Sequence, residues 1–161
     1  MKINRFMTMM IAAVVIMLGV SACGSDDDSE TALATEVIGS YTGNEIITVM
    51  GDESSNGTAT YEFAKSSDTS IDMTIPQSGS GGMAIPALPV KNIPLTRGNN
   101  TISGKLASYS GKVTNAKGEE RAFTLSNVTV IFKDKSVVVT FSLKYGNMPF
   151  DMITTFTGTK K

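Results

Sequence analysis

From Val37 onward, apolar side chains recur at every second position in short runs separated by turn residues, the period of half-buried β-strands. Tyr41, Ile47 and Val49 set a first strand near 40–50, and Gly51 to Gly57 has turn composition. A second strand near 58–66 carries Ala59, Tyr61 and Phe63 on one face and Thr60 and Glu62 on the other. Ile71, Met73 and Ile75 alternate with Asp72 and Thr74 on a third. Gly79 to Gly82 reads as a loop. Pro86, Pro89 and Pro94 cannot donate to a ladder, so the strand expected near 84–95 is an edge, bulged or interrupted. Gly98-Asn99-Asn100 is a hairpin turn, after which Ile102, Gly104 and Leu106 open the next strand; Asn115 to Gly118 is another turn. Phe123 and Leu125 share one parity, and Val128, Val130 and Phe132 the other. That flip predicts a β-bulge near Ser126-Asn127. Lys133-Asp134-Lys135 turns into the cleanest alternation of the chain, Val137, Val139, Phe141, Leu143 and Tyr145. After Gly146-Asn147, Phe150, Met152 and Phe156 mark the last strand. No helical periodicity of any length accompanies these strands.

The count is about eight consecutive antiparallel strands joined by short turns. This all-β pattern closes into an up-and-down barrel, which removes exposed edges, with a two-sheet sandwich as the alternative.

The first residues follow another pattern. Lys2 and Arg5 precede an apolar run, Met7 to Val20, broken only by Thr8. Such a run spans about 21 Å as a helix, short of the ~30 Å hydrocarbon core, and reads as a signal peptide over 1–22 rather than a stable span. Val20-Ser21-Ala22-Cys23 resembles the lipobox of bacterial lipoproteins. The resemblance implies a lipid on the Cys23 thiol, cleavage before that residue, and attachment to a membrane. Ser25, Asp26, Asp27 and Asp28 follow directly. They form a solvated acidic tether, and they also resemble the surface-export signal of Bacteroidetes lipoproteins, which implies display on the outer face of the outer membrane. The domain organisation is then a signal peptide over 1–22, the lipidated cysteine and acidic tether over 23–36, and a barrel domain over 37–161.

Segment order within that domain resembles the calycin-like domain of Bacteroidetes lipoproteins. The carrying residues are Tyr41-Thr42-Gly43, then Gly81 to Pro86 before Val90 to Leu95, then Gly146 to Phe150 leading to Phe156-Thr157-Gly158. The resemblance implies a small lipocalin-like β-barrel and supplies no catalytic residues. Lipocalins open with Gly-x-Trp, on which a basic residue near the last strand packs. Here Gly39-Ser40-Tyr41 stands at that place, tyrosine for tryptophan, with Lys160 and Lys161 at the end.

Composition narrows the chemistry. Over 37–161 there are twelve basic and ten acidic side chains and no basic stripe, which argues against nucleic acid as a partner. The chain has no histidine or tryptophan, and its single cysteine is Cys23, so the domain has neither a disulfide nor the commonest metal ligand and general base. Neither a catalytic apparatus nor a cofactor is expected. Glu45, Glu62 and Asp72 lie on strands, where paired carboxylates serve acid–base chemistry if they converge and are otherwise solvated.

Binding residues come from the two stretches least compatible with a ladder, Gly79 to Ala87 and Gly146 to Phe150, which are free to shape a barrel mouth. Met83, Ile85, Met148 and Phe150 would supply apolar contact, and Tyr41 or Tyr145 a polar handle from the wall. An eight-stranded interior either fills with side chains or holds one small ligand. Two functions follow from these alternatives: a binding module for a small apolar or amphiphilic ligand or a glycan, or a structural lipoprotein with a filled barrel.

Overall fold

Strands with one apolar face need a shared place to bury it, and a sheet closed on itself gives every strand the same interior. The computed structural model describes residues 33–81 and 84–161. A short helix, α1 (Leu33–Val37), precedes β1 (Gly39–Val49), β2 (Asp52–Ser67), β3 (Ser70–Ile75), β4 (Leu88–Gly98), β5 (Thr101–Thr114), β6 (Glu120–Lys133), β7 (Ser136–Tyr145) and β8 (Met152–Lys160). Each strand pairs antiparallel with its chain neighbours, and β8 returns to β1 from Met152↔Val49 to Lys160↔Tyr41. The result is one closed eight-stranded barrel rather than a sandwich.

The inward faces are those the alternation requires. Val137, Val139, Phe141 and Leu143 of β7 are all buried. On β6 the bulge falls where the parity flips, with a register shift against β7 between Ser126 and Thr129 and a left-handed Asn127 (φ 53). Phe123, Leu125, Val128, Val130 and Phe132 therefore all point inward despite the change of parity. Tyr61 stacks on Phe156 at 4.2 Å between ring centroids, and Tyr41 meets Phe63 edge-on at 5.4 Å. This packed interior lies beneath the mouth described below.

The far end is sealed by α1. Leu33, Ala34 and Val37 are buried, the Ala34 N–H donates to the Asp68 carbonyl at 3.0 Å, and Glu36 pairs with Arg97. A helix this short does not persist alone; burial holds it. The Tyr41 hydroxyl donates to the Val37 carbonyl at 3.1 Å. Lys160 brings its Nζ to 6.0 Å from the Tyr41 ring centroid, the outer reach of a cation–π contact. Its stem passes so close that a Cβ on Gly39 would stand 3.0 Å from Lys160 Cε.

Four elements differ from the sequence expectation. Helix α1 occupies part of the stretch read as tether, because five residues carry too little periodicity to show as a helix. The first hairpin turns on Met50 and Gly51, with φ of 55° and 92°, the left-handed pair that suits a two-residue hairpin. Asp52 to Gly57, turn-like in composition, instead continues β2 against Glu45 to Val49, exposed along its length. Strand β4 begins at Leu88, and upstream of it only a bridge, Ser78↔Ile85, is formed. Its register with β5 is confined to Leu95–Gly98, so Pro89 and Pro94, which stand opposite Thr74 and Ser70 of β3, have no ladder partner on the β5 side. A bulge at Asn92 (φ 57) is fastened by Asp72, which accepts from the Asn92 N–H at 3.0 Å and from Lys91 at 2.8 Å. Strand β8 begins only at Met152, which leaves Phe150 in the preceding loop.

Candidate functional site

The mouth opposite α1 is built from four connections: Met50-Gly51, the long β3–β4 segment, the β5–β6 turn and the β7–β8 loop. A cavity of about 320 Å³ lies there, lined by Gly81, Ala84 and Ile85 of the β3–β4 segment, Asn115 to Lys117 of the β5–β6 turn, Glu119 and Arg121 leading into β6, and Tyr145 to Met148. That volume is at the lower end of small-molecule pockets. Ile85 is buried and Met148 packs against the core, so the apolar side of the cavity continues the barrel interior.

Local structure fixes the polar side. The Asn115 side-chain oxygen accepts from the Lys117 and Glu119 backbone N–H groups, each at 2.9 Å, and locks the turn. Glu119 in turn accepts from the Asn115 amide at 3.0 Å and from Arg121 at 2.6 Å. The Asn115 hydrogen bond and then the Arg121 guanidinium hold the Glu119 carboxyl below its ordinary range. Arg121 precedes Phe123 by two residues and so shares its inward parity at the rim. On the adjacent strand Tyr145 opposes Phe123. The Tyr145 hydroxyl is buried and has no hydrogen-bond partner among the described residues.

The structure brings together three of the residues expected to bind, Ile85, Tyr145 and Met148. Phe150 is 47 % exposed and does not line the cavity. The missing N–H of Pro149 keeps this stretch out of the ladder, so strand alternation does not govern its neighbour. Tyr41 is buried at the opposite end, among Phe63, Phe132 and α1, and its burial raises the phenol pKa. Met83, the lipidation residue Cys23 and the export-signal residues Ser25, Asp26, Asp27 and Asp28 lie outside the described residues. Sequence reasoning missed Asn115, Lys117, Glu119 and Arg121; the inward parity of Arg121 with Phe123 was the legible signal.

The three strand carboxylates do not converge. Asp72 fastens the β4 bulge and Glu62 accepts from the Ser40 hydroxyl at 2.6 Å. Glu45 accepts from the buried Tyr61 hydroxyl at 2.5 Å. Burial, and then the Glu45 charge, push the Tyr61 phenol far above its usual range. Among the described residues no cluster of three or more metal-ligating side chains occurs. A second cavity, about 220 Å³, lies beside α1 at the closed end, where Glu36, Arg97 and Asp134 meet Phe132.

Among solved structures, the chain is similar to a "putative outer membrane protein" from Bacteroides fragilis NCTC 9343, with a TM-score of 0.61 and 20% sequence identity over 81% of this chain. The match spans 53% of that protein's chain, and at this identity the likeness is one of fold. No curated protein sequence matches. The model of the calycin-like beta-barrel domain matches residues 37–159, almost the whole barrel from β1 to β8, and the chain belongs to that family.

Proposed function

We propose that this protein is a lipid-anchored, surface-displayed outer-membrane lipoprotein whose barrel binds a small apolar or amphiphilic ligand, or a glycan, at its mouth, without catalysis. The observation that carries the reading is the cavity of about 320 Å³ with an apolar side of Ala84, Ile85 and Met148 and a polar side of Asn115, Lys117, Glu119 and Arg121. One face for hydrocarbon and one for a polar group is the make-up of a ligand pocket. The lipobox-like Val20 to Cys23 and the acidic Asp26 to Asp28 support the anchoring and the surface location. The outer-membrane description of the Bacteroides structure agrees with them.

The test is titration with a hydrophobic fluorescent probe. Saturable binding that Met148→Ala weakens several-fold, with circular dichroism unchanged, supports the reading. The packed interior favours a second reading, a structural lipoprotein working through its outer surface. Absence of saturable binding would select that one.

A further inference from the structure

We infer that the closed end of the barrel is a membrane-docking face: Lys133, Lys135 and Lys161, with Lys160 beside them, meet the phosphate-bearing headgroups of the membrane that holds the anchor, and the mouth is thereby turned outward. This rests on the lipid on Cys23. The first observation is where the lysines stand. Lys133 and Lys135 flank the β6–β7 turn, and Lys133 pairs in register with Ser136, which pairs in turn with Thr159 of β8. The Lys160 N–H donates to the Lys135 carbonyl at 2.7 Å and the Lys161 N–H to the Ser40 carbonyl at 3.0 Å, so the four share one rim. Lys133, Lys135 and Lys161 are exposed. None of the four joins an ion pair among the described residues, whereas Lys65, Lys91, Arg97, Lys112 and Arg121 do.

The second observation is the contrast between the two ends. Outside ion pairs, the closed end sets these four lysines against Asp134, which lines the small cavity beside α1, and Glu62, which accepts from Ser40. The mouth sets Asp52, Glu53 and Asp151 against Lys117 and Lys144. The ends therefore differ by three charges. A lysine beside an anionic surface is worth a factor of about five, so the pose with the closed end down exceeds the inverted one on the order of a hundredfold. The third observation is the length of the tether. Leu33, the first described residue, sits at the closed end, ten residues after Cys23. Ten residues of chain reach at most about 35 Å. The nine residues of β8 already extend ~30 Å at about 3.4 Å each. An inverted barrel would spend nearly all of that reach on climbing its own wall. Asp26, Asp27 and Asp28 stay beside the anchor in either pose, so their repulsion from an anionic surface is common to both.

The experiment places the lipidated chain in vesicles of phosphatidylcholine, alone or in equal parts with phosphatidylglycerol. The barrel has no cysteine and Cys23 is acylated, so Asn99→Cys in the β4–β5 turn and Met50→Cys at the mouth each give one thiol for a fluorophore. A quencher carried on the lipid headgroups reports which end is near them. In the anionic vesicles the label at position 99 is expected to be quenched several-fold more than the label at position 50. Lys133→Glu, Lys135→Glu and Lys161→Glu together, or salt at about 0.5 M, remove most of that difference. The triple variant keeps the wild-type Tm, because these exposed side chains have no ion-pair partner among the described residues to lose. A difference of the same size in neutral vesicles, or in the triple variant, leaves orientation to the tether alone and overturns the docking face. Equal quenching of the two labels overturns it too. Quenching at position 99 that emerges only when Asp26, Asp27 and Asp28 are replaced by Ala shows that the acidic run covers the lysines, and overturns it as well. Protein that separates from the vesicles on flotation overturns the anchor reading itself.

Discussion

Closure of the barrel depends on a glycine pair at the seam between its first and last strands, and substituting one of them shows how much. Gly43 of β1 lies opposite Gly158 of β8. A Cβ added to Gly43 would stand 2.5 Å from Gly158 Cα and collide with the Thr157 carbonyl. Carbon atoms rest at about 3.5–4.0 Å, so the overlap is about 1–1.5 Å. The obstacle is backbone held in a ladder, which no rotamer change relieves; β8 must move away from β1. Overfilling a packed site costs about 1–3 kcal/mol. A backbone collision belongs at the top of that range or beyond, and we expect Gly43→Ala to lose ~3 kcal/mol or more. With a urea slope of about 2 kcal/mol/M, the midpoint falls by ~1.5 M. Gly57→Ala on β2 is the control. Nothing lies within 4 Å of its added Cβ, and the methyl group reduces the freedom of the unfolded chain, a gain of about 0.4–1 kcal/mol. Urea unfolding followed by circular dichroism measures both. A Gly43→Ala midpoint equal to that of Gly57→Ala would refute the seam.

Cys23→Ser is expected to leave an uncut, unlipidated precursor, seen as a heavier band that leaves the detergent phase; a normal mature N-terminus in that variant would exclude the anchor. Replacing Asp26, Asp27 and Asp28 together by Ala is expected to keep lipidation and remove accessibility to added protease on intact cells, whereas undiminished accessibility would reduce the run to a tether. Burial raises the Asp72 carboxyl pKa, but the hydrogen bonds from Lys91 and the Asn92 N–H outweigh it and hold the value below the ordinary range. A depressed carboxylate stabilises the fold above its unfolded pKa, and that stability is lost as pH falls through the folded value. Asp72→Asn is therefore expected to lower Tm at pH 7, with a gap to wild type that begins to narrow near the unfolded value of about 3.9 and closes only once pH is below the folded value; a gap that stayed constant down to pH 2 would assign Asp72 no electrostatic part in the β4 bulge.

The strands that carry strict alternation were legible because each side chain faces either core or solvent. Strand β7 follows its apolar residues residue by residue, and the parity flip located the β6 bulge because a one-residue insertion is the way to keep Leu125 and Val128 both inside. Composition misled where exposure, not turning, selects Ser, Asn and Gly, as along Asp52 to Gly57. The polarity of the tether concealed Leu33 and Ala34, whose burial depends on the open end of a barrel that the local sequence does not announce. At the mouth, Ile85 and Met148 were legible as apolar residues on segments that prolines and glycines keep out of the ladder. Tyr41 was assigned to the wrong end because parity tells which face a side chain takes, not its height along the barrel axis. Arg121 went unread because its hairpin was taken only as a turn.

The central claim is that the mouth cavity is a ligand site, and the most direct measurement is an amide chemical-shift titration of the ¹⁵N-labelled protein with a single-chain amphiphile such as octanoate. The account predicts saturating shifts concentrated at Ala84-Ile85, Asn115 to Arg121 and Tyr145 to Met148, with α1 and Tyr41 at the opposite end unmoved. Shifts that fail to saturate, or that fall on the outer faces of the strands instead, would contradict it.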